Sequence, residues 1–478
     1  MITDDEPDTG RWRELLGPAR VAISLVLAGG VALHAINIFL TTSLLPTAIE
    51  EIGGAKLYAW STTIFMIASV ISAMLVSRIL GASGPAKAYL IGFASYIVGT
   101  LICAISPTME ILLIGRAVQG IGGGLLAGLA YMVVQGALPA HLWAKATALI
   151  SAMWGVGTLA GPAIGGLFAQ FDAWRYAFVL LALFGALIAL VATRVLPSNK
   201  SAGERDPVPV VSLFLLTATT AAISVAGVMT SRINIFIAIG VAVVLLLAFI
   251  TRERTKTVQV LPASTYKLSS PLKWIYLTIA ILAAGTATEA FIPLFGQRLA
   301  GLEPFVAGFL GAAVSLGWSV SMVFSANASR PRTLSLMRII GPGVLAIGLA
   351  IAGLTQREDA GPVVVVMWVL GLIIAGSGIG IAFPHLIVGA MKSSTDPEEA
   401  GKASAGVNTV ELIALAFASA LGGVLVNLGA PSMVNSAKYL LLGFAVVAAI
   451  GCLTAFRAER AHRNKESLPE PVELVAQV

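Results

Sequence analysis

The strongest constraint in this sequence is a series of long apolar runs separated by short polar or Pro/Gly-containing breaks. A run of about 18 or more apolar residues is long enough to cross a bilayer as a helix. Fourteen such runs lie near residues 21–46, 58–80, 86–106, 110–135, 143–169, 174–196, 209–229, 233–251, 272–297, 304–326, 334–354, 362–390, 402–427 and 436–457. The sequence therefore predicts fourteen membrane spans, although the runs at 209–229 and 233–251 are also compatible with a re-entrant hairpin.

The composition agrees with a membrane protein and excludes several other classes. Hydrophobic residues make up 57% of the 478 residues and charged residues 11%, whereas a soluble domain is about 25% charged. The net charge of +6 does not indicate nucleic-acid binding, because the charges lie between the apolar runs without interleaved aromatic residues. The chain has no CxxC, HExxH or GxxxxGK[ST] motif. We therefore expect no metal, no cofactor, no ATP-driven transport and no nucleic-acid partner.

The distribution of basic residues orients the predicted spans. If the N-terminus is cytoplasmic and the spans alternate, 23 of the 30 Lys and Arg residues fall on the cytoplasmic side and six fall outside. The remaining one, Arg116, falls well inside a span. An excess of Lys and Arg on the cytoplasmic side is the rule for membrane proteins. Both termini are thus predicted to be cytoplasmic, in a multi-pass protein of the plasma membrane, most readily a bacterial inner membrane.

The two halves of the chain resemble each other. SRILGASGPAKAYLIGFASYIVGT follows the second run, and NASRPRTLSLMRIIGPGVLAIGLA takes the same place after the tenth. Two six-helix halves related by an axis along the membrane normal are a transporter architecture, with substrate bound near mid-membrane at their interface. The predicted organisation is a cytoplasmic segment (1–20), a six-helix bundle (21–196), a linker with two extra helices (197–270), a second six-helix bundle (271–457) and a cytoplasmic, disordered tail (458–478).

The fifth run contains an unusual glycine series, GVGTLAGPAIGG, at residues 155–166. In water each interior glycine costs a helix about 1 kcal/mol and an interior proline about 3 kcal/mol. In lipid, small residues four positions apart allow helix backbones to approach closely, and neighbouring groups can satisfy a carbonyl freed by proline. The series predicts a bent helix in close contact with a neighbour, through Gly155, Gly157, Gly161, Pro162, Gly165 and Gly166.

GVGTLAGPAIGG, followed by WRYAF at 174–178, resembles the antiporter motif in the fifth helix of drug:proton antiporters of the major facilitator superfamily. LIGRAVQGIGGG at 113–124 is similar to the fourth-helix motif, with Arg116, Gln119 and Gly120 at matching positions. AFIPLFGQRLAGLEPFVAGFL and LTTSLLPTAI are similar to stretches of the fourteen-span branch. The resemblance implies an all-α membrane protein with the major-facilitator fold. It also implies export of hydrophobic or amphipathic, often cationic, compounds by proton antiport with alternating access.

The chain departs from this family at two positions. In the loop after the second span, LVSRILGASGPAK, Ser77 stands where the family usually has an acidic residue. Asn37 lies nine residues before Pro46, where the branch often has an aspartate, and an amide cannot titrate. The predicted cytoplasmic gate loop therefore lacks its acidic partner, and proton coupling needs another group. The remaining gate candidates are Arg78, Gly84 and Lys87.

Four ionisable side chains are predicted to lie within spans, where such groups are costly and therefore functional candidates. They are the candidates for proton coupling or for pairing with substrate charge: Glu289, Glu411, Arg116 and His34. Glu289 is the first choice because it lies four residues before Pro293, where a bent helix can open a cavity. His34 is one turn from Asn37 and can titrate near neutral pH. For each residue the alternative is a structural role in polar packing or ion pairing.

The candidate residues for lining a cavity are Asn37, Gln119, Trp154, Phe291 and His385, of which the aromatic members can stack on flat ligands. The sequence thus predicts a monomeric secondary transporter and not an enzyme, with a small lipophilic substrate, protons and membrane lipids as partners. The proton gradient is the expected energy source. One alternative is a lipid or lipid-conjugate exporter on the same fold. The other is a non-transporting membrane sensor or enzyme, although no nucleophile–His–acid set lies within the spans.

Overall fold

The computed structural model describes residues 12–18, 20–196, 209–229, 231–255, 260–266, 270–325, 328, 330–393 and 397–466. Over these residues the regular structure is entirely helical. Thirteen helices are long and apolar enough to cross a membrane, and one further span is broken by a 40° bend. The prediction of fourteen membrane spans is confirmed. An even number of crossings puts the two ends of the chain at one membrane face, called here the terminal face, with the opposite face across the bilayer.

The helices fall into the predicted groups. The N-terminal bundle is α1 (Val21–Ile52), α2 (Tyr58–Met74), α3 (Val76–Ala104), α4 (Met109–Ala137), α5 (Trp143–Gln170) and α6 (Trp174–Val195). The inserted pair is α7 (Val210–Val228) and α8 (Arg232–Thr255). Each helix is long enough to cross a membrane, so this pair is two spans and not a re-entrant hairpin. The C-terminal bundle is α9 (Leu272–Thr286, Ala287–Ala290 and Ile292–Ala300), α10 (Pro304–Gly311 and Ala313–Ser325), α11 (Pro331–Leu354), α12 (Pro362–Met391), α13 (Pro397–Gly429) and α14 (Met433–Glu466).

Two predicted boundaries are wrong. The gate segment after α2 is not an open loop: α3 begins at Val76, and only Gly84, with φ 76°, interrupts it before Pro85. A positive φ is readily adopted by glycine, which allows the chain to bend there. The tail predicted to be disordered from residue 458 is helical through Glu466. The buried Glu459 carboxylate stabilises the first turns of this segment. It forms an ion pair with Arg338 of α11 at 2.8 Å.

Close backbone contacts repeat at matching places in the two bundles. A Cβ atom at Gly115 of α4 would lie 2.9 Å from the carbonyl oxygen of Gly99 in α3. A Cβ atom at Gly371 of α12 would lie at the same distance from the carbonyl oxygen of Gly348 in α11. Side chains larger than hydrogen would separate both helix pairs, since 2.9 Å is below carbon–oxygen contact. The internal repeat seen in the sequence is therefore also a repeat of helix packing.

The inserted helix α7 lies along one side of the molecule and contacts both bundles. The indole nitrogen of Trp60 in α2 donates to the carbonyl oxygen of Ser224 at 3.2 Å. On the other bundle, the side-chain amide of Asn427 in α13 donates to the carbonyl oxygen of Gly227. Helix α7 thus covers the seam between α2 and α13.

A buried carboxylate fastens the inserted pair to the segment that leads into α9. Glu253, at the end of α8, is fully buried. Its two oxygens accept hydrogen bonds from the Ser212 hydroxyl at 2.7 Å, the Val260 backbone N–H at 2.8 Å and the Tyr266 hydroxyl at 2.8 Å. The sequence analysis did not single out Glu253, because a charged residue directly after an apolar run is typical of a membrane surface.

Replacement of Glu253 by alanine is expected to destabilise the inserted pair. The change removes the acceptor of three hydrogen bonds and leaves buried donors without a partner, which costs about 1–3 kcal/mol per donor. The measurement is the apparent unfolding temperature of the purified chain in detergent. Glu358→Ala, at an exposed loop position, is the matched control and should leave that temperature unchanged. Equal temperatures for both variants would contradict the structural role of Glu253.

Candidate functional site

Arg116 of α4 is the centre of a buried polar cluster in the N-terminal bundle. Its side chain is 1% exposed. The Nη1 atom donates to Gln119 Oε1 at 2.6 Å and to Asn37 Oδ1 at 3.1 Å, while Nε donates to the backbone oxygen of Ser61 at 3.3 Å. The guanidinium therefore joins α1, α2 and α4 through neutral oxygen atoms.

The cluster continues through hydrogen bonds of defined direction. Since a guanidinium can only donate, Gln119 and Asn37 must turn their oxygen atoms toward Arg116. The Gln119 amide nitrogen then donates to Thr100 Oγ1 of α3 at 2.8 Å, and the Thr41 hydroxyl donates to Asn37 Oδ1 at 3.3 Å. Four helices of the N-terminal bundle share this network.

Aromatic side chains form the second part of the cluster. The guanidinium carbon of Arg116 lies 4.2 Å from the centroid of the Phe65 ring, within range of a cation–π interaction. The His34 ring stacks on Phe65 at 5.3 Å and meets the edge of Trp154 at 5.7 Å. Trp154 is 37% exposed, whereas His34 is 1% exposed. The structure thus brings together five residues that the sequence singled out: His34, Asn37, Arg116, Gln119 and Trp154.

Glu289 lies in the C-terminal bundle, where α9 is broken. It belongs to the short turn Ala287–Ala290, which ends the first of the two segments that meet at 40°. The carboxylate is 8% exposed and accepts a hydrogen bond from the Ser315 hydroxyl of α10 at 2.7 Å. The expected bend before Pro293 is present, and it puts this carboxylate in the wall that α9 and α10 share.

The break in α9 is also in contact with the N-terminal bundle. The Tyr58 hydroxyl of α2 donates to the backbone oxygen of Ala290 at 2.8 Å. The Tyr58 ring stacks on Phe291 with centroids 5.2 Å apart. Phe291 is 1% exposed, so it packs at the junction of the bundles and does not line an open cavity in this conformation. Tyr58 was missed in the sequence because nothing local marks its partner more than 200 residues away.

Glu411 and His385 form no hydrogen bond or ion pair with the Arg116 cluster within the described residues. Glu411 of α13 is half-buried and has no hydrogen bond or ion pair within the described residues. His385 of α12 is 9% exposed, and its Nε2 atom has no hydrogen-bond partner in the described part of the chain. Within the described residues neither side chain has a hydrogen bond or ion pair to Glu289, whose carboxylate accepts from Ser315.

The glycine series of α5 contacts both bundles. A Cβ atom at Gly157 would lie 2.5 Å from Ala35 Cβ, and one at Gly161 would lie 2.5 Å from Phe39 Cβ, both in α1. Gly165 lies against the backbone of Leu40, and Gly166 lies against Phe305 at the start of α10. Pro162 packs on Gly308 of α10. Gly155 differs from the others, because a Cβ atom there would meet nothing within 4 Å.

Ionic and polar contacts join the bundles at the opposite face. Arg298 pairs with Glu50 at 2.8 Å, and the Gln170 amide donates to Glu303 at 2.8 Å. Nearer mid-membrane, the Thr63 hydroxyl of α2 bonds to the Ser419 hydroxyl of α13 at 3.0 Å. These contacts close the opposite face in this conformation.

The WRYAF segment stabilises the same face. The Arg175 guanidinium donates to Glu51 at 2.6 Å, and the Trp174 indole donates to it at 2.7 Å. These hydrogen bonds join the end of α1 to the start of α6. At the terminal face, Arg78 and Lys87 are exposed and form no ion pair with the described residues. The predicted gate residues therefore do not latch in this conformation.

Comparisons with known proteins agree with the helix arrangement. The model of the Major Facilitator Superfamily matches residues 27–418. The chain belongs to the Major Facilitator Superfamily. It is 44% identical over 471 residues to a protein named probable multidrug-efflux transporter in Mycobacterium tuberculosis, an alignment that covers 97% of this chain and 99% of that relative.

Solved structures support the same fold. A POT family transporter in complex with 5-aminolevulinic acid superposes with a TM-score of 0.66 at 16% identity, covering 95% of this chain and 98% of that one. A D-xylose-proton symporter superposes with a TM-score of 0.64 at 15% identity. The alignment covers 92% of this chain and 97% of the symporter. Membership of this superfamily confirms the predictions of the fold, of a multi-pass membrane transporter consistent with the plasma membrane, and of a protein that is not an enzyme.

Adding a methyl group at Gly161 is expected to destabilise the protein, whereas the same change at Gly155 is not. The Gly161→Ala side chain would overlap Phe39, and overpacking costs about 1–3 kcal/mol. Gly155→Ala meets no neighbour and gains helix propensity of about 0.5–1 kcal/mol. The two purified variants should therefore shift the apparent unfolding temperature in different directions. A lower temperature for Gly155→Ala than for Gly161→Ala would refute this account of the glycine series.

Proposed function

We propose that this transporter exports hydrophobic or amphipathic, often cationic, compounds in exchange for protons. The name of the Mycobacterium tuberculosis relative, a probable multidrug-efflux transporter, supports drug efflux. The observation that carries the proton part is Glu289, a buried carboxylate at a break in a membrane helix. The transporter acts as a monomer without a cofactor, with the proton gradient as its energy source.

A carboxylate in this position can couple protons to a cationic substrate. Its described hydrogen-bond partner is a neutral hydroxyl, that of Ser315. Burial of an unpaired charge is costly, so the carboxylate is stabilised when either a proton or a lipophilic cation neutralises it. Binding of one then displaces the other, which is the requirement for antiport. Glu411, half-buried in α13, is the second candidate carboxylate.

The contacts around Glu289 suggest how its charge state acts on the bundles. Tyr58 bonds to Ala290 and stacks on Phe291, so α2 is attached to the turn that carries Glu289. Movement of that turn would disrupt the contact of Tyr58 with Ala290 and Phe291, which helps to hold the opposite face closed. With cytoplasmic termini, as the basic residues predict, this conformation is closed to the outside and receives substrate from the cytoplasmic half.

Lipophilic substrates enter from the bilayer between α5 and α10. Helix α7 covers the other seam, between α2 and α13, through its bonds to Trp60 and Asn427. The contacts between α5 and α10 described above, at Gly166 and Pro162, are close to the opposite face. Trp154 of α5 is exposed beside His34, where an aromatic ring can bind a flat lipophilic ligand.

Export of a lipid or lipid conjugate is the second candidate function. A groove of about 630 Å³ lies between α10, α11 and α12, with Val320, Met337 and Ile381 among its lining residues. Val320 and the neighbouring Phe324 are at least half exposed, and a groove of this kind suits an acyl chain. Transport of a fluorescent phospholipid in place of lipophilic cations would favour this function.

Glu289→Gln is expected to abolish proton-driven uptake in inverted membrane vesicles. Glutamine keeps an acceptor for Ser315 but cannot exchange a proton, so an imposed pH gradient should no longer drive accumulation of tetraphenylphosphonium. Glu411→Gln tests the second carboxylate in the same assay, and Glu358→Gln, at an exposed position, is the control with unchanged uptake. Uptake by the unmodified protein that ignores the gradient would rule out antiport. Normal uptake by Glu289→Gln would rule out this carboxylate.

A further inference from the structure

The charge of Arg116 has no counter-ion within the described part of the chain. Its partners there are the amide oxygens of Asn37 and Gln119, the backbone oxygen of Ser61 and the face of Phe65. Its two remaining N–H donors, both on Nη2, have no acceptor among those residues. An uncompensated buried charge costs several kcal/mol, so this arrangement calls for a negative charge at the cluster.

Two more unfilled hydrogen-bonding atoms lie on residues that contact Arg116. Asn37 and Ser61 are fully buried. The Asn37 amide nitrogen and the Ser61 hydroxyl have no hydrogen-bond partner among the described residues. Rotating the Asn37 amide by 180° would not help, because its oxygen is needed by Arg116 and Thr41. The unfilled atoms of Asn37, Ser61 and Arg116 are thus able to donate, around one positive charge.

We propose that Arg116, Asn37 and Ser61 bind a small inorganic anion of the halide class. A halide only accepts hydrogen bonds, so it fits a site whose unfilled atoms are donors, and it neutralises the guanidinium. A water molecule would also accept from these donors, but it needs acceptors for its own hydrogens and leaves the charge in place. Arg116, Asn37 and Ser61 are all buried, which favours a monatomic anion over the carboxylate of a bulky substrate.

Thermal unfolding of the purified full chain tests this site without any transport assay. At constant pH and ionic strength, replacing sodium gluconate by sodium chloride or bromide should raise the apparent unfolding temperature in a saturable way. The expected rise is about 2–5 °C, because a ligand that binds only the folded state stabilises it. Failure of the proposed proton antiport would leave this result unaffected.

Asn37→Asp is the decisive variant. An aspartate at this position would neutralise Arg116 from within the chain, so the dependence on halide should disappear. Asn435→Asp, at an exposed position near the opposite face, is the matched control. This variant should still show the dependence of the unfolding temperature on halide. Ser61→Ala removes one donor and should move the halide midpoint to higher concentration, which provides a second test if Asn37→Asp does not fold.

Bromide provides a direct readout. Anomalous diffraction from crystals grown in bromide should give a peak in contact with the Arg116 guanidinium. Equal unfolding temperatures in halide and gluconate, an undiminished halide effect in Asn37→Asp, or electron density of a water molecule at the site without an anomalous peak would each overturn the proposal.

Discussion

Close contact between helix backbones is the interaction on which the rest of this structure depends. Lipid tails are as apolar as the side chains, so apolar burial does little to draw helices together within the bilayer, and packing at small residues takes its place. The Gly99–Gly115 and Gly348–Gly371 contacts hold equivalent helix pairs in the two bundles. The polar cluster follows from the same geometry. A Cβ atom at Gly123 would lie 2.5 Å from His34 Nδ1, so the ring reaches its position only because that residue is glycine.

The sequence predicted the spans well because length and hydropathy decide whether a helix can cross a bilayer. It predicted the ends of helices less well. The polar residues after α2 and after residue 457 indicate where the chain leaves the hydrocarbon, yet a helix can continue into water. The chain is helical over residues 76–83 and up to Glu466. In the second case the stabilising contact, Glu459 with Arg338, comes from a distant helix and leaves no local signal.

The sequence identified the ionisable residues of the candidate site, but it did not identify the residues that contact them. Arg116, His34 and Glu289 are conspicuous because charges are rare within apolar runs. The residues that define their surroundings are ordinary ones: Phe65 supplies an aromatic face, Ser315 a hydroxyl and Tyr58 a contact between bundles. Each comes from a different helix, so its role depends on tertiary packing. Glu411 shows the converse, since this conspicuous carboxylate has no hydrogen bond or ion pair to the cluster among the described residues.

The separation of the two buried charges has a consequence for how the bundles move. Arg116 is bound within the N-terminal bundle, and Glu289 is bound to Ser315 within the C-terminal bundle. Had they formed an ion pair across the interface, each movement between the bundles would leave two uncompensated charges, at a cost of about 3–5 kcal/mol. Instead, neutral hydrogen bonds such as Thr63–Ser419 and Tyr58–Ala290 cross the buried part of the interface, and the Arg298–Glu50 ion pair that also crosses it is exposed at the opposite face. The neutral bonds can be exchanged for water as a cleft opens, because a neutral hydrogen bond contributes only about 1 kcal/mol net. An interface of this composition allows the bundles to rock while each charged side chain keeps its hydrogen-bond partners within its own bundle.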